Sequence, residues 1–117
     1  MTTCDSAFGM VLSNARERAG RSMADVARFL GVSVQYVSDV ERGRRAPMVR
    51  RKLLDVARFL DVEPWRFLRA AAVWTGEVGL PVSVTDPRRD AVAAALAVKW
   101  EALPADAVER IAKEVGL

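Results

Sequence analysis

The chain has 117 residues, of which 51% are apolar and 28% charged, with a formal net charge of +3. This composition is typical of one ordinary domain, or of a small core with an appendage, and excludes a largely disordered chain. No apolar run approaches the roughly 20 residues of a membrane span, and the first residues lack the order of a signal peptide, so we expect a cytoplasmic protein.

Several kinds of chemistry are excluded by residue type. There is one cysteine, Cys4, and no histidine, so we expect a plain thiol and neither an internal disulfide nor a zinc site. No glycine-rich phosphate loop follows a strand. Acidic residues such as Asp39 and Glu41 are two residues apart on a helix, so their side chains diverge. We therefore expect no cofactor, no metal and no enzymatic activity.

Charge is distributed unevenly along the chain. Residues 1–70 contain 13 Lys or Arg against 8 Asp or Glu, whereas residues 71–117 contain 5 against 7. A basic N-terminal part followed by a mildly acidic C-terminal part is typical of a polyanion binder with a separate interaction segment.

Glycines divide the first third of the chain into short helices. Apolar spacing predicts an amphipathic helix over about residues 6–19. A second helix begins after the N-cap candidate Ser22 and ends at Gly31 after two turns. A third follows the N-cap candidate Ser33 and stops at Gly43. Two short helices joined by a tight turn containing a glycine are the helix-turn-helix arrangement.

Two more helices complete the predicted first domain, over residues 6–73. Apolar spacing predicts a fourth helix from residue 49 to residue 60, and Pro64 opens a fifth in which Trp65 and Leu68 are expected to close the core. The string DVARFL occurs at residues 25–30 and again at 55–60. We interpret this identity as the same packing need met twice, not as an internal repeat.

The last third of the chain differs in composition. Residues 74–85 contain the Gly and Pro of a connector, with a brief strand predicted at residues 82–84. Asp86 with Pro87 and then Pro104 each begin a further helix, so residues 86–117 form a C-terminal helical segment. The predicted fold is all-α, with a five-helix domain and two C-terminal helices.

The tryptophans are interpreted as core or interface residues rather than base-stacking platforms.

The start of the third helix carries residue types suited to duplex DNA. An α-helix fits the major groove, and its N-terminal residues reach the base edges first. Gln35 can bond adenine at two atoms, Ser33 can bond a base or a phosphate, and Val34 can lie against a thymine methyl group. Tyr36 either packs on the next turn or contacts the DNA. The same residues would also suit an ordinary exposed helix start.

Cations follow this helix at once. Within eleven residues that contain no acid there are six, namely Arg42, Arg44, Arg45, Arg50, Arg51 and Lys52. Such a cluster favours backbone phosphates as its partner, although a charge run is also typical of a solvated face. Ser22 and the amides of its helix predict another phosphate contact, with Arg21 adding charge, because a helix N-terminus attracts anions.

The segment from Phe8 to about Leu68 resembles the Cro and CI phage-repressor type of helix-turn-helix, the XRE family. The resemblance rests on FGMVLSNARERAG, on SMADVARFLGVSVQYVSDVERGRRAP and on LLDVARFLDVEPWRFL. It implies a five-helix DNA-binding domain. One such domain contacts a single half-site and two copies read both, about 34 Å apart, so we expect a homodimeric repressor on a palindromic operator. The resemblance also implies a structural ion pair between Arg16 of the first helix and Glu41 at the end of the third.

Two residues depart from the family pattern. Met23 stands where the family often has a glutamine that touches phosphate. Asp39, on the outward side of the third helix, brings a negative charge toward the major groove. It can accept a hydrogen bond from a cytosine amino group, or it can serve as a cap-like or solvated residue.

The C-terminal helices admit several interpretations. They are too short to be stable alone, so they pack on a second protomer or only cap the N-terminal core. A different class of function is an antitoxin or a protease-controlled repressor, whose C-terminal helices bind another protein. A coactivator that has lost DNA binding is disfavoured by Gln35 and the arginine cluster.

Overall fold

The computed structural model describes residues 3–117, with side chains from residue 7 onward. The part of the chain so described is all-α, and a 3-10 turn at Trp100–Ala102 separates the last two helices. The α-helices are α1 (Thr3–Arg18), α2 (Met23–Leu30), α3 (Val34–Glu41), α4 (Arg50–Phe59), α5 (Pro64–Thr75), α6 (Pro87–Lys99) and α7 (Ala105–Glu114). They fall into two compact units, one up to Val78 and one from Gly79 to Leu117.

Serine caps and a left-handed glycine define the two short helices. The hydroxyl of Ser22 accepts from the amide of Asp25 at 3.0 Å, and the Asp25 carboxylate accepts from the Ser22 amide at 2.8 Å. This reciprocal pair is a capping box, which satisfies two amides at the start of α2. Gly31 ends α2 at φ 71°, where a side chain would be strained, and Ser33 caps α3 two residues later.

The first unit has one apolar core to which all five of its helices contribute. α1 packs on α3 and α5, α2 packs on α3 and α4, and α4 packs on α5. Phe8 and Phe67 meet edge to face at its centre, with ring centroids 5.6 Å apart. Of the two residues predicted to close this core, Leu68 packs against it, whereas Trp65 is 38% exposed and lies beneath Arg66. The fully buried residue of α5 is Phe67.

The two DVARFL strings occupy equivalent places. Both bury the same three positions, which are Val26, Ala27 and Leu30 in the first and Val56, Ala57 and Leu60 in the second. In each case the second residue after the string donates its amide to the carbonyl of the buried alanine, at 3.0 Å and 2.8 Å. Gly31 and Asp61, which follow the strings, both have positive φ. The strings therefore meet the same packing need in α2 and α4, and each is followed by the same kind of turn.

The second unit has no fully buried residue. The strand predicted at residues 82–84 does not form, and Val84 is 94% exposed. Instead, the Ser83 amide donates to Asp90 at 2.8 Å, and the Ser83 and Thr85 hydroxyls are 2.7 Å apart. The backbone there forms a turn that leads into α6, because no neighbouring strand exists in the described chain to pair with it.

Candidate nucleic-acid interface

The start of α3 is exposed, while the opposite face of the helix is buried. Ser33 accepts from the Tyr36 amide at 3.0 Å, and its hydroxyl hydrogen remains able to donate to a ligand. Val34 and Gln35 point to solvent. Val37 and Val40 lie in the core. The residues predicted to read bases therefore stand on a rigid element rather than on a loop.

Gln35 and Asp39 are joined along the exposed side of α3. The amide nitrogen Nε2 of Gln35 donates to Oδ1 of Asp39 at 2.9 Å. This is the (i, i+4) spacing at which helical side chains meet. Asp39, which the sequence left between a base contact and a solvated role, is half-buried and bonded to the residue best suited to adenine.

Tyr36 supports an arginine of the loop that follows α3. The guanidinium of Arg45 lies 4.7 Å from the centroid of the Tyr36 ring, within the range of a cation–π contact. Tyr36 is half-buried and Arg45 is exposed. The loop is thus folded back, so that its charge stands beside the start of α3.

The loop between α3 and α4 carries cations that no acid neutralises. Within residues 7–117, Arg42, Arg44 and Arg45 form no ion pair with an acidic side chain. By contrast, four arginines elsewhere pair with an aspartate three or four residues away on the same chain segment, namely Arg28, Arg58, Arg89 and Arg110. The exposed loop is therefore a region of positive potential next to α3.

The start of α4 adds charge in a place that helix electrostatics disfavours. Arg50, Arg51 and Lys52 occupy its first turn, which contains no acid, and Val49 provides no side-chain cap. Cations at the positive end of a helix dipole raise its energy. A bound anion would compensate this arrangement, which is a local conflict of the kind found at functional sites.

The start of α2 is less open to an anion than the sequence suggested. The Asp25 carboxylate lies there and accepts from the Ser22 amide. This bond, followed by the bond between the Ser22 hydroxyl and Asp25, lowers the pKa of Asp25 and keeps it charged. Arg21 packs its guanidinium 4.7 Å above the ring of Phe59, which itself stacks on Phe29 at 4.3 Å.

The end of α3 is fixed to α1 by a bidentate ion pair. Arg16 Nε donates to Glu41 Oε2 at 2.7 Å, and Arg16 Nη2 donates to Glu41 Oε1 at 3.1 Å. The side chains are only 13% and 5% exposed. The bond to Glu41 raises the pKa of Arg16, so the guanidinium is charged at any physiological pH. These are the two residues that the family resemblance pairs.

Gly9 contributes to the same anchor, and the sequence analysis did not single it out. It is buried in α1, where a Cβ would lie 2.7 Å from the Glu41 carbonyl carbon and 2.8 Å from the Val40 oxygen. Only a glycine therefore allows α1 to approach the end of α3 this closely. An isolated glycine inside a helical pattern was the available indication, because it costs about 1 kcal/mol relative to alanine unless packing requires it.

Comparison with protein families agrees with this geometry. Residues 7–76 match a family model described as a helix-turn-helix domain. The chain belongs to this family, whose Cro-like members are DNA-binding transcriptional regulators and typically not enzymes. Searches against curated proteins and against solved structures gave no match.

The part of the chain that the structure describes offers neither a membrane-spanning helix nor a cluster of metal ligands. None of its helices combines the length and apolar character needed to cross a membrane. Its His, Cys, Asp and Glu side chains do not gather into a group of three or more suited to a metal ion.

Proposed function

We propose that this protein is a sequence-specific repressor that inserts the start of α3 into the major groove of duplex DNA. The observation that carries the proposal is the exposed start of α3, which is flanked by cations that no acid neutralises. The other end of α3 is held on α1 by the ion pair of Arg16 with Glu41. A helix in the major groove has its first residues at the base edges. Ser33, Val34 and Gln35 then read bases, with Tyr36 and Asp39 beside them.

Backbone phosphates supply most of the affinity in this proposal. Arg42, Arg44 and Arg45 lie on the loop after α3, and Arg50 lies at the start of α4. Phosphate contacts by such residues position the domain but carry no base preference. Ser22 and Arg21, at the start of α2, provide a second and weaker phosphate contact, because the Asp25 carboxylate already occupies the Ser22 amide.

Homodimerisation through residues 79–117 is part of the proposal. The apolar side chains of this unit are exposed or at most half-buried, Val98 at 85% and Trp100 at 57% among them. Short helices without a core need a partner surface. Two copies related by a two-fold axis would read half-sites about 34 Å apart, which accounts for a palindromic operator. A dimer that covers such a site excludes other proteins from it, which is the basis for assigning repression.

Removal of the second unit tests the dimer. The first unit has its own core, so a chain that ends after Val78 should fold. We expect it to sediment as a monomer at micromolar concentration and to bind DNA more weakly than the whole chain. A dimer of unchanged stability would instead mean that residues 79–117 have another role, such as covering the first unit.

The same exposed apolar surface favours one alternative, in which the C-terminal helices bind a different protein. An antitoxin or a protease-controlled repressor would use them in this way while still binding DNA. Copurification of one stoichiometric partner at native expression level would support this alternative. A homodimer with no second component would support the dimer.

Selection of bound duplexes from a random pool tests the proposed function itself. The purified protein should enrich a palindrome whose half-sites are one helical turn apart, and should bind it more tightly than a scrambled duplex at near-physiological salt. Absence of any enriched sequence, with only weak and salt-sensitive binding, would contradict base reading by α3 and direct attention to a protein partner.

A further inference from the structure

The bond between Gln35 and Asp39 fixes the orientation of the Gln35 amide. A carboxylate only accepts hydrogen bonds, so the group of Gln35 that faces Asp39 at 2.9 Å has to be the nitrogen and not the oxygen. The two ends of a glutamine amide have similar shape, and an unconstrained side chain presents either one. Here the chemistry of the neighbour leaves one arrangement.

This orientation determines what Gln35 offers to a base. One N–H of Nε2 is committed to Asp39, which leaves the carbonyl oxygen as an acceptor and the second N–H as a donor. In the major groove adenine offers the N6 donor and the N7 acceptor, which complement that pair. Guanine offers two acceptors, O6 and N7, and would need two donors from Gln35.

The charge of Asp39 acts in the same direction. Its carboxylate stands on the outward side of α3 beside Gln35 and is half-buried, so it is held close to the edge that Gln35 presents. A negative acceptor next to the O6 and N7 atoms of guanine is repulsive. Next to an exocyclic amino group, on adenine or on a neighbouring cytosine, it is attractive.

We infer that Asp39 is a specificity-determining positioning residue, which holds Gln35 in the orientation that selects adenine and rejects guanine. The inference rests on the proposed function, because it requires that Gln35 face a base. It differs from the interpretation of Asp39 as an ordinary solvated acid. The charge of such an acid would lower the affinity for every duplex alike and leave the base preference unchanged.

The test is a base-preference profile of the full-length protein and its variants, measured as relative affinities for every single substitution of the enriched duplex. The base read by Gln35 is the position at which Gln35→Ala loses preference. At that position we expect Asp39→Ala to reduce the ratio of adenine to guanine affinity by about fivefold to tenfold. Other positions should keep their preferences.

Further variants separate orientation from charge. Asp39→Glu keeps an acceptor-only group on the same face and should preserve most of the adenine preference. Asp39→Asn can present its own nitrogen to Gln35, so preference should fall although the shape is kept. Asp55→Ala removes one acid from α4, where Asp55 pairs with Arg58 at 3.7 Å, and should change affinity without changing preference.

The possible outcomes distinguish the inference from the proposed function. Loss of preference in both Gln35→Ala and Asp39→Ala, at one shared position, supports the inference. A change in Gln35→Ala alone, with Asp39→Ala binding all duplexes uniformly more tightly, overturns the inference and leaves the proposed function standing. A wild-type protein without base preference overturns both.

Discussion

Gly9 of α1 lies directly against the backbone of Glu41, the last residue of α3. The side chain of the same glutamate is held by Arg16, about two turns further along α1. α1 therefore holds the end of α3 through both the backbone and the side chain. Since the other end of α3 is the proposed reading edge, this anchor sets the angle at which that edge is presented.

Substitution of Gly9 by alanine should destabilise the protein. The added methyl group would meet backbone atoms that cannot rotate away, at a cost of about 1–3 kcal/mol for overpacking. This outweighs the gain of about 0.5–1 kcal/mol that alanine brings to a helix interior. Urea unfolding measures the difference. Gly79→Ala is the control, because a Cβ there meets no atom within 4 Å. Unchanged or increased stability of Gly9→Ala would contradict the close packing of α1 on α3.

The Arg16 to Glu41 pair should show strong coupling in a double-mutant cycle. Each single change, Arg16→Met or Glu41→Leu, leaves a nearly buried charge without its partner, so we expect a loss of about 3–5 kcal/mol for each. Replacing both at once, with Arg16→Met and Glu41→Leu, should cost far less than the sum of the single changes. Chemical denaturation of the four proteins measures this.

An exposed pair provides the control for that cycle. Arg110 and Asp106 are 2.8 Å apart on α7 but 70% and 73% exposed. Exposed pairs at this spacing contribute only about 0.3–0.5 kcal/mol. Equal coupling energies for the two pairs would mean that burial of the Arg16 pair has no energetic consequence.

The capping box of α2 predicts a dependence of stability on pH. The Ser22 amide, and then its hydroxyl, lower the pKa of Asp25 below its ordinary value of 3.8. A carboxyl whose pKa is lower in the folded state contributes stability above its unfolded pKa, and this is lost as pH falls through the folded pKa. In Asp25→Asn, thermal stability should therefore fall less steeply than in wild type as the pH is lowered below about 4.

Ser22→Ala is the matched variant for this prediction. It removes the hydroxyl but keeps the backbone amide, which is the larger cause of the lowered pKa. It should lose about 1 kcal/mol at all pH values as an N-cap substitution while retaining most of the pH dependence. If Asp25→Asn and wild type lose stability in parallel on acidification, the capping box does not carry the effect.

Much of the fold follows from the sequence because the residues that begin and end its helices act locally. Ser22, Gly31 and Ser33 determine helix ends by their own backbone and hydroxyl chemistry, and the structure has all seven helices that the pattern predicts. Phe67 in the core was missed because apolar periodicity does not rank Trp65, Phe67 and Leu68 against one another. That ranking depends on which side chain meets Phe8 of α1.

The relationships within the interface were harder to predict for a related reason. Residue types at the start of α3 indicated which residues could contact DNA. They did not indicate that Asp39 bonds Gln35 or that Arg45 lies over Tyr36, because rotamers and loop paths decide both contacts. The prediction of a strand at residues 82–84 was wrong for a similar reason. Alternation of apolar and polar residues does not show whether a neighbouring strand is available for pairing.

The contact of Arg45 with Tyr36 predicts an effect on affinity that is independent of DNA sequence. If the ring holds Arg45 toward a phosphate, Tyr36→Leu should weaken binding to enriched and scrambled duplexes alike, by about twofold to fivefold. Tyr36→Phe keeps the ring and should bind as wild type does. Fluorescence anisotropy titrations measure both. A loss restricted to the enriched duplex would assign Tyr36 to base reading instead.

The most direct test of the central claim compares Gln35→Ala with Arg44→Ala on the enriched and the scrambled duplex over a range of salt concentrations. Gln35→Ala should lose about 1–3 kcal/mol of discrimination, with little change on scrambled DNA. Arg44→Ala should weaken both complexes equally and reduce the salt slope by about one. This result would assign base reading to α3 and phosphate binding to the loop after it. Equal losses on both duplexes for Gln35→Ala would contradict base reading by α3.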